Sequence, residues 1–227
     1  FGGGGKVTLN VVLRGDPKSI SVIPTSPGIV YKDLLILGSE VSELYGAEPG
    51  YIRAYNIESG KLEWTFHTVP WPGELGYETW PKDAWKYVGG VNDWGGMSSD
   101  EERGMVFLAL GSPSYDYYGA DRKGENLFGN CVVALDARTG RYIWHYQTVH
   151  HDLWDYDLPA PPNLVTLERD GKKLDAVAQT SKTGFLYVLD RETGEPLFPI
   201  EERKVPASNI PGEETWPTQP YPIKPLP

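Results

Sequence analysis

Two stretches, AYNIESGKLEWTFHTV (54–69) and ALDARTGRYIWHYQTV (134–149), decide how this chain is read. They align at an offset of 80 residues. Each runs from an Ala through Asn56 or Asp136, a Ser/Thr-Gly pair and a basic residue to Trp64 or Trp144. A weaker third copy, VLDRETGEPLF (188–198), keeps Asp190 and the Thr193-Gly194 pair, and puts Leu197 and Phe198 near the Trp position. Each copy parses as strand, tight turn, strand. The Asn or Asp can bond its own backbone across the turn, and Gly60, Gly140 and Gly194 can supply a positive φ.

Apolar runs precede the copies: IVYKDLLILGS (29–39), GMVFLALGS (104–112) and LDAVAQTSKTGFLYVL (174–189). The pattern predicts one antiparallel sheet per repeat, and such sheets cover their faces by stacking radially or as a sandwich. A Trp at the same place in successive repeats is then a wedge between neighbouring sheets. The expected fold class is all-β, a β-propeller. Three visible repeats are too few to close one, so residues 1–227 are expected to be its middle blades, with flanking parts missing on both sides.

Composition agrees with many short strands and turns. The 227 residues include 26 Gly, 20 Pro, eight Trp and fourteen Tyr. A net charge of −10 with no basic stripe argues against nucleic acid as a partner. Cys131 is the sole cysteine and sits in the apolar run CVVAL, which reads as a buried thiol and leaves the redox compartment unread. No apolar run is long enough to span a bilayer.

The long insertions carry the functional signal. Residues 70–100 hold four Trp without regular period, and 112–130 and 199–227 are equally irregular. Aromatic-rich loops on repeated sheets are where a binding site is expected. QTVHHDLWDYDLP (147–159) adds two imidazoles and three carboxylates within eight positions. Zinc is disfavoured there, because no third nitrogen or thiolate follows at metal-site spacing, so His150 and His151 are read as loop support.

The A-x-[DN]-x-x-[ST]-G-[KR]-x-x-W repeats resemble the tryptophan-docking motifs of the quinoprotein dehydrogenases. These are eight-bladed propellers that oxidise alcohols or sugars with pyrroloquinoline quinone (PQQ). HHDLWDYDLPAPP, AQTSKTGFLYVLDRETGEP and PGEETWPTQP occur in the order seen in the membrane glucose, polyol and quinate dehydrogenase branch. The resemblance implies roles for individual residues. Asp155, in WDYD, corresponds to the catalytic aspartate, a general base that also touches the metal. Glu43, in LILGSEVSELYG, corresponds to a metal-binding glutamate. NDWGG makes Trp94 the floor beneath the quinone ring and adds Asn92 as a cofactor contact. Lys182, in SKTG, corresponds to the Lys or Arg that bonds the quinone oxygens, and Thr25, in PTSPG, to a contact of a PQQ carboxylate.

One position departs from the pattern. Alcohol-oxidising members have a metal-binding Asn in a Gly-Asn-Pro context, and here LGSPSYD puts Ser112 at that place, with Asp116 as a possible substitute. Asp157, two places after Asp155, is read as an orienting or structural residue, although lanthanide-using members carry a ligand there.

The resemblance implies removal of a hydroxyl proton by Asp155 and hydride transfer to PQQ. A divalent cation would act as Lewis acid, calcium first, with magnesium or a lanthanide as alternatives. It also implies a sugar, polyol or alcohol substrate, a membrane quinone or cytochrome as acceptor, and a periplasmic location. The rival expectations are a non-catalytic propeller scaffold and a paralogue inactivated at Ser112.

Overall fold

The computed structural model describes residues 2–10, 13–14 and 20–224. Thirteen strands form four antiparallel sheets among the described residues. The first is β1 (Ile29–Tyr31), β2 (Leu34–Leu37), β3 (Ile52–Asn56) and β4 (Leu62–Phe66), in that spatial order. The second repeats it with β5 (Ser98–Asp100), β6 (Met105–Ala109), β7 (Cys131–Asp136) and β8 (Tyr142–Gln147). The third holds β9 (Asn163–Arg169), β10 (Lys172–Thr180) and β11 (Leu186–Asp190), and a separate hairpin follows, β12 (Ile200–Lys204) with β13 (Thr218–Pro222). Strands β1, β5 and β9, the first of each sheet, touch in succession, so the three sheets stand side by side as consecutive propeller blades.

The middle blade shows how the stack holds together. Val106, Leu108, Cys131, Val133 and Leu135 pack towards the first blade, among Leu34, Ile36, Ile52, Ala54 and Trp64. Met105, Phe107, Ala109, Val132 and Ala134 pack the other way, against Val177 and Leu189 of the third sheet. Successive side chains of a strand point to opposite faces, and here both faces are covered. That is why MVFLA and CVVAL read as unbroken apolar runs rather than alternating ones.

The repeated turns close as the sequence predicts. Asn56 Oδ1 accepts hydrogen bonds from Glu58 N, Ser59 N and Ser59 Oγ. Asp136 repeats the pattern with Arg138 and Thr139, and Asp190 with Glu192 and Thr193. Gly60, Gly140 and Gly194 sit at φ of 74°, 70° and 76°. Trp64 and Trp144 each stand opposite an Ala beside a bulge in the ladder, and each ring lies over the turn glycine of the next blade. A Cβ added to Gly140 would come within 2.5 Å of Trp64, and one on Gly194 within 2.6 Å of Trp144. The wedge is therefore an indole seated on a glycine.

Four details differ from the sequence reading. The run 174–189 is two strands, β10 and β11, joined by a turn, and 29–37 is likewise the β1–β2 hairpin. The insertion 70–100 ends in β5 and contains two short 3-10 turns, Tyr77–Thr79 and Ala84–Lys86. The segment 199–227 contains the β12–β13 hairpin, whose Pro220 and Pro222 are tolerated because β13 pairs on one side only. The third repeat makes its turn but no fourth strand. Pro196 and Pro199 bracket Leu197 and Phe198 and remove two ladder donors, leaving an isolated bridge at Leu189–Pro196.

Candidate active site

Strand connections fall into two sets. Turns between β1 and β2, β3 and β4, β5 and β6, β7 and β8, and β9 and β10 lie at one end of the blades. The connections 38–51, 67–97, 110–130 and 148–162, with the 181–185 turn, lie at the other. A cavity of about 310 Å³ opens among this second set. Its lining includes Glu43, Asn92, Trp94, Ser112, Asp155 and Lys182, six of the seven residues to which the resemblance assigns a catalytic, cofactor or metal role, together with Asp116 and Asp157. Thr25 is outside the lining but adjoins it, donating from Oγ1 to the Trp94 carbonyl at 3.1 Å.

The centre of the cavity is a lysine between two carboxylates. Lys182 Nζ lies 2.8 Å from Asp155 Oδ2 and 2.9 Å from Asp157 Oδ2. It also stands 5.8 Å from the centre of the Trp94 ring, and the Trp94 indole N–H donates to Asp157 Oδ2 at 3.2 Å. Burial, reinforced by the charge of Asp157 and opposed by Lys182, pushes the Asp155 carboxyl up to about 6. Burial works against the Lys182 ammonium, but its bonds to both aspartates outweigh that and hold its pKa above the usual lysine value. Asp157 is fixed on its other oxygen by the Ser112 N–H at 2.7 Å, and its carbonyl accepts the Lys182 N–H.

Asp152 carries the loop that presents Asp155. Its Oδ1 accepts from Trp154 N at 2.9 Å and its Oδ2 from Tyr156 N at 2.6 Å. Ser112 Oγ donates to the same Oδ2 at 2.5 Å, and Asn130 Nδ2 donates at 2.9 Å. Asp155 itself sits at φ 58° and His151 at φ 45°, a left-handed conformation that non-glycine residues hold only when the surroundings fix it. The sequence reading counted Asp152 among the three carboxylates of the 150–157 cluster but gave it no role of its own.

The histidines are support, in line with the reading of the sequence. His150 bonds Gln147, Gln219 and Glu202, fastening the loop to the β12–β13 hairpin. His151 is buried against Asn126, and burial with nearby Arg122 lowers its pKa to about 4, so the ring is neutral. Neither lines the cavity.

Trp94 is positioned from below. Asp93 is fully buried and accepts from Gly96 N at 2.9 Å and Ala109 N at 3.1 Å, and burial drives its carboxyl up to about 7. Asn92, beside it, donates to the Ser39 carbonyl at 3.0 Å. Gly38 and Gly50 leave no room for a Cβ against Asp93 and Asn92, which explains glycine at both.

The donor set suits a hard cation. The lining contributes Glu40, Glu43, Asp116, Asp155 and Asp157 against one ammonium, and no sulfur or imidazole. Burial, then the charges of Asp155, Glu43 and Asp157, push the Asp116 carboxyl up to about 7, a sign of uncompensated negative charge. Among the described residues no three His, Cys, Asp or Glu side chains form a ready ligand group. An oxygen-rich, acidic lining of this kind suits a cation that completes its shell from a second bound molecule, and Glu43 and Asp155 are among the carboxylates present.

Blades joined by indole-on-glycine contacts, with an acidic, tryptophan-lined cavity at one end, define a β-propeller with its candidate site on one rim. Residues 1–227 match the family described as "PQQ: Glucose/ethanol/alcohol dehydrogenase, beta-propeller domain", and the chain belongs to that family. It is 37% identical over 99% of its length to the quinate/shikimate dehydrogenase (quinone) of Acinetobacter baylyi, covering 28% of that protein. It is 35% identical over 97% of its length to the quinoprotein glucose dehydrogenase of Gluconobacter oxydans, again covering 28%. The quinohemoprotein alcohol dehydrogenase of Comamonas testosteroni superimposes with a TM-score of 0.69 at 30% identity, over 86% of this chain and 30% of that one. The chain thus spans little more than a quarter of the curated relatives' length. No helix among the described residues is long and apolar enough to cross a membrane.

Proposed function

We propose that the whole protein oxidises a sugar, polyol or cyclic hydroxy acid at a secondary or primary hydroxyl, with PQQ and a hard cation, and that residues 1–227 contribute the core of its active site. The observation that carries this reading is the convergence of Trp94, Asp155, Asp157, Lys182 and Glu43, drawn from four separate connections, on one cavity. The relatives named for quinate, shikimate and glucose support the substrate class.

Bound PQQ would supply a hydride-accepting carbonyl, polarised by the cation. Asp155 takes the substrate hydroxyl proton. Its raised pKa is suited to that work, because a base close to the working pH transfers protons in both directions at low cost. Lys182 steadies the carboxylate before proton transfer and offers its ammonium to charge developing on the quinone oxygens. Trp94 gives a flat apolar face that orients the ring, and its indole N–H holds Asp157 so that Lys182 stays centred. Calcium is the expected cation, with magnesium or a lanthanide as alternatives. The acceptor is a membrane quinone or a cytochrome, and the propeller faces the periplasm.

The test uses the full-length protein purified without cofactor. PQQ and calcium are added, then glucose, other aldoses, polyols and quinate, with reduction of an artificial dye as readout. Turnover that requires both additions and disappears in Asp155→Asn is the expected result. Failure to bind PQQ under any of the three cations would sink the reading in favour of a non-catalytic scaffold.

A further inference from the structure

The stretch PGEETWPTQP (211–220) carried part of the resemblance, yet it has no place in the cavity. Glu214, Thr215 and Trp216 instead line a second pocket of about 290 Å³, together with Lys123, Gly124 and His151. That volume lies at the small end of the range for ligand sites.

His151 gives this pocket its chemistry. The ring is only 2% exposed, bonds Asn126 Oδ1 through Nδ1 at 2.8 Å, and leaves Nε2 buried with no hydrogen-bond partner. Its tautomer follows from the neighbours. Asn126 Nδ2 donates to the Arg122 carbonyl at 2.6 Å and Asn126 Oδ1 accepts from the Arg122 guanidinium at 3.1 Å, so the amide has one orientation. Nδ1 therefore carries the proton, and Nε2 of the neutral ring holds a lone pair. The Gly124 carbonyl acts on the ring but makes no hydrogen bond to it. A buried acceptor without a donor costs free energy that a bound O–H would recover. Gly119 keeps the nitrogen clear, since a Cβ there would lie 2.6 Å from Nε2.

The remaining groups narrow the class of ligand. Lys123 Nζ and Glu214 Oε1 are paired at 2.5 Å, so the pocket presents a donor and an acceptor without net charge. An anion would meet Glu214 and an uncharged imidazole. A metal ion would find no group of three ligating side chains among the described residues. A wholly apolar molecule would leave Nε2 unsatisfied. Trp216, half-buried, offers a flat apolar face. A ring that carries hydroxyls suits all of these: one O–H for Nε2, a C–H face for the indole, and further hydroxyls for the Lys123–Glu214 pair.

We propose that this pocket binds a neutral polyhydroxylated ring, a sugar or cyclic polyol, outside the catalytic cavity, with His151 Nε2 as acceptor and Trp216 as the stacking face. The loop that bears the base then has one residue in each site, Asp155 in the cavity and His151 in the second pocket. The proposal does not depend on the quinone reading, because no residue of the second pocket lines the cavity.

The experiment is calorimetric titration of the full-length protein, free of cofactor and added cations, with glucose, inositol and tetrahydropyran. Wild type, His151→Phe, Trp216→Ala and Trp94→Ala are compared, with circular dichroism to establish folding. Saturable binding of at least one of the two polyols is expected, weakened at least ~10-fold in His151→Phe and Trp216→Ala and less than ~3-fold in Trp94→Ala, with no binding of tetrahydropyran. Absence of saturable polyol binding by wild type overturns the proposal. Binding that survives in Trp216→Ala but falls in Trp94→Ala also overturns it, by assigning the polyol to the cavity. So does tetrahydropyran bound as tightly as the polyols, since hydroxyls would then have no part in recognition. None of these results touches the quinone reading, which stands or falls on PQQ binding and turnover. Should His151→Phe fail to fold, Trp216→Ala decides under the same criteria.

Discussion

The two ends of the blades are built under different rules. At one end, three turns place Asn56, Asp136 and Asp190 in the same hydrogen bonds and Gly60, Gly140 and Gly194 at the same positive φ. At the cavity end no connection repeats another. There positive φ values fall on non-glycine residues such as Val91, Asn126, Asn130, His151 and Asp155 as well as on glycines, and carboxylates sit among like charges. The three repeated turns satisfy their local preferences, and two of them, at Gly140 and Gly194, each seat the indole of the preceding blade. The cavity end violates several at once, which is where a function is expected to have imposed its own requirements.

Separating the two ends experimentally gives the largest effects. Asp155→Asn should lower kcat of the reconstituted full-length enzyme by about 10²–10⁴-fold, with little change in unfolding midpoint. Steady-state kinetics beside a thermal melt would check it, and a parallel loss of stability would blur the comparison. Trp144→Ala should do the reverse, costing about 3–5 kcal/mol of stability through an unfilled space between blades. Gly194→Ala should be comparably damaging, since its Cβ would press on the same ring at a φ of 76°. Denaturant unfolding of the full-length protein measures both.

Asp152→Ala tests the one residue that serves both stability and chemistry. It leaves Ser112, Asn130 and two backbone N–H groups without their acceptor, so about 1–3 kcal/mol of stability and part of the turnover should be lost together.

A smaller effect comes from pH. The Asp116 carboxyl is raised to about 7, so its contribution to stability is complete below the ordinary carboxylate pKa and is lost as pH rises through about 7. Cofactor-free Asp116→Asn should therefore melt at a higher temperature than wild type at pH 8 and at the same temperature near pH 4. Equal midpoints at pH 8 would mean that the charge is already neutralised. At the turn end, Arg138→Ala removes an exposed pair with Asp33 and should leave the melting temperature unchanged within error.

Much of the site was legible because its residues lie in short, contiguous motifs. NDWGG, WDYD and SKTG each bring a side chain to the cavity, and the resemblance ordered them before any geometry was known. Asp93 and the part played by Asp152 were hidden for a shared reason. Their importance comes from what lies opposite them: backbone N–H groups of Trp154 and Tyr156 for Asp152, and those of Gly96 and Ala109 for Asp93. Nothing in the local text around these two marks such partners.

The sequence by itself determined the repeat, the turns and the indole-bearing strands, because those depend on residues close together in the chain. Tight-turn chemistry and period-two alternation are local physics. The missing fourth strand of the third repeat was local too, since Pro196 and Pro199 remove its donors, though the sequence reading did not draw that consequence. Only the tertiary structure decided that Ser112 is bound into the loop of Asp152, that Asp116 is buried beside the cavity, and that Lys182 lies between Asp155 and Asp157. Those facts depend on burial and on charges brought together from connections far apart in sequence, and the cost of an unpaired charge exists only once the fold has removed its water.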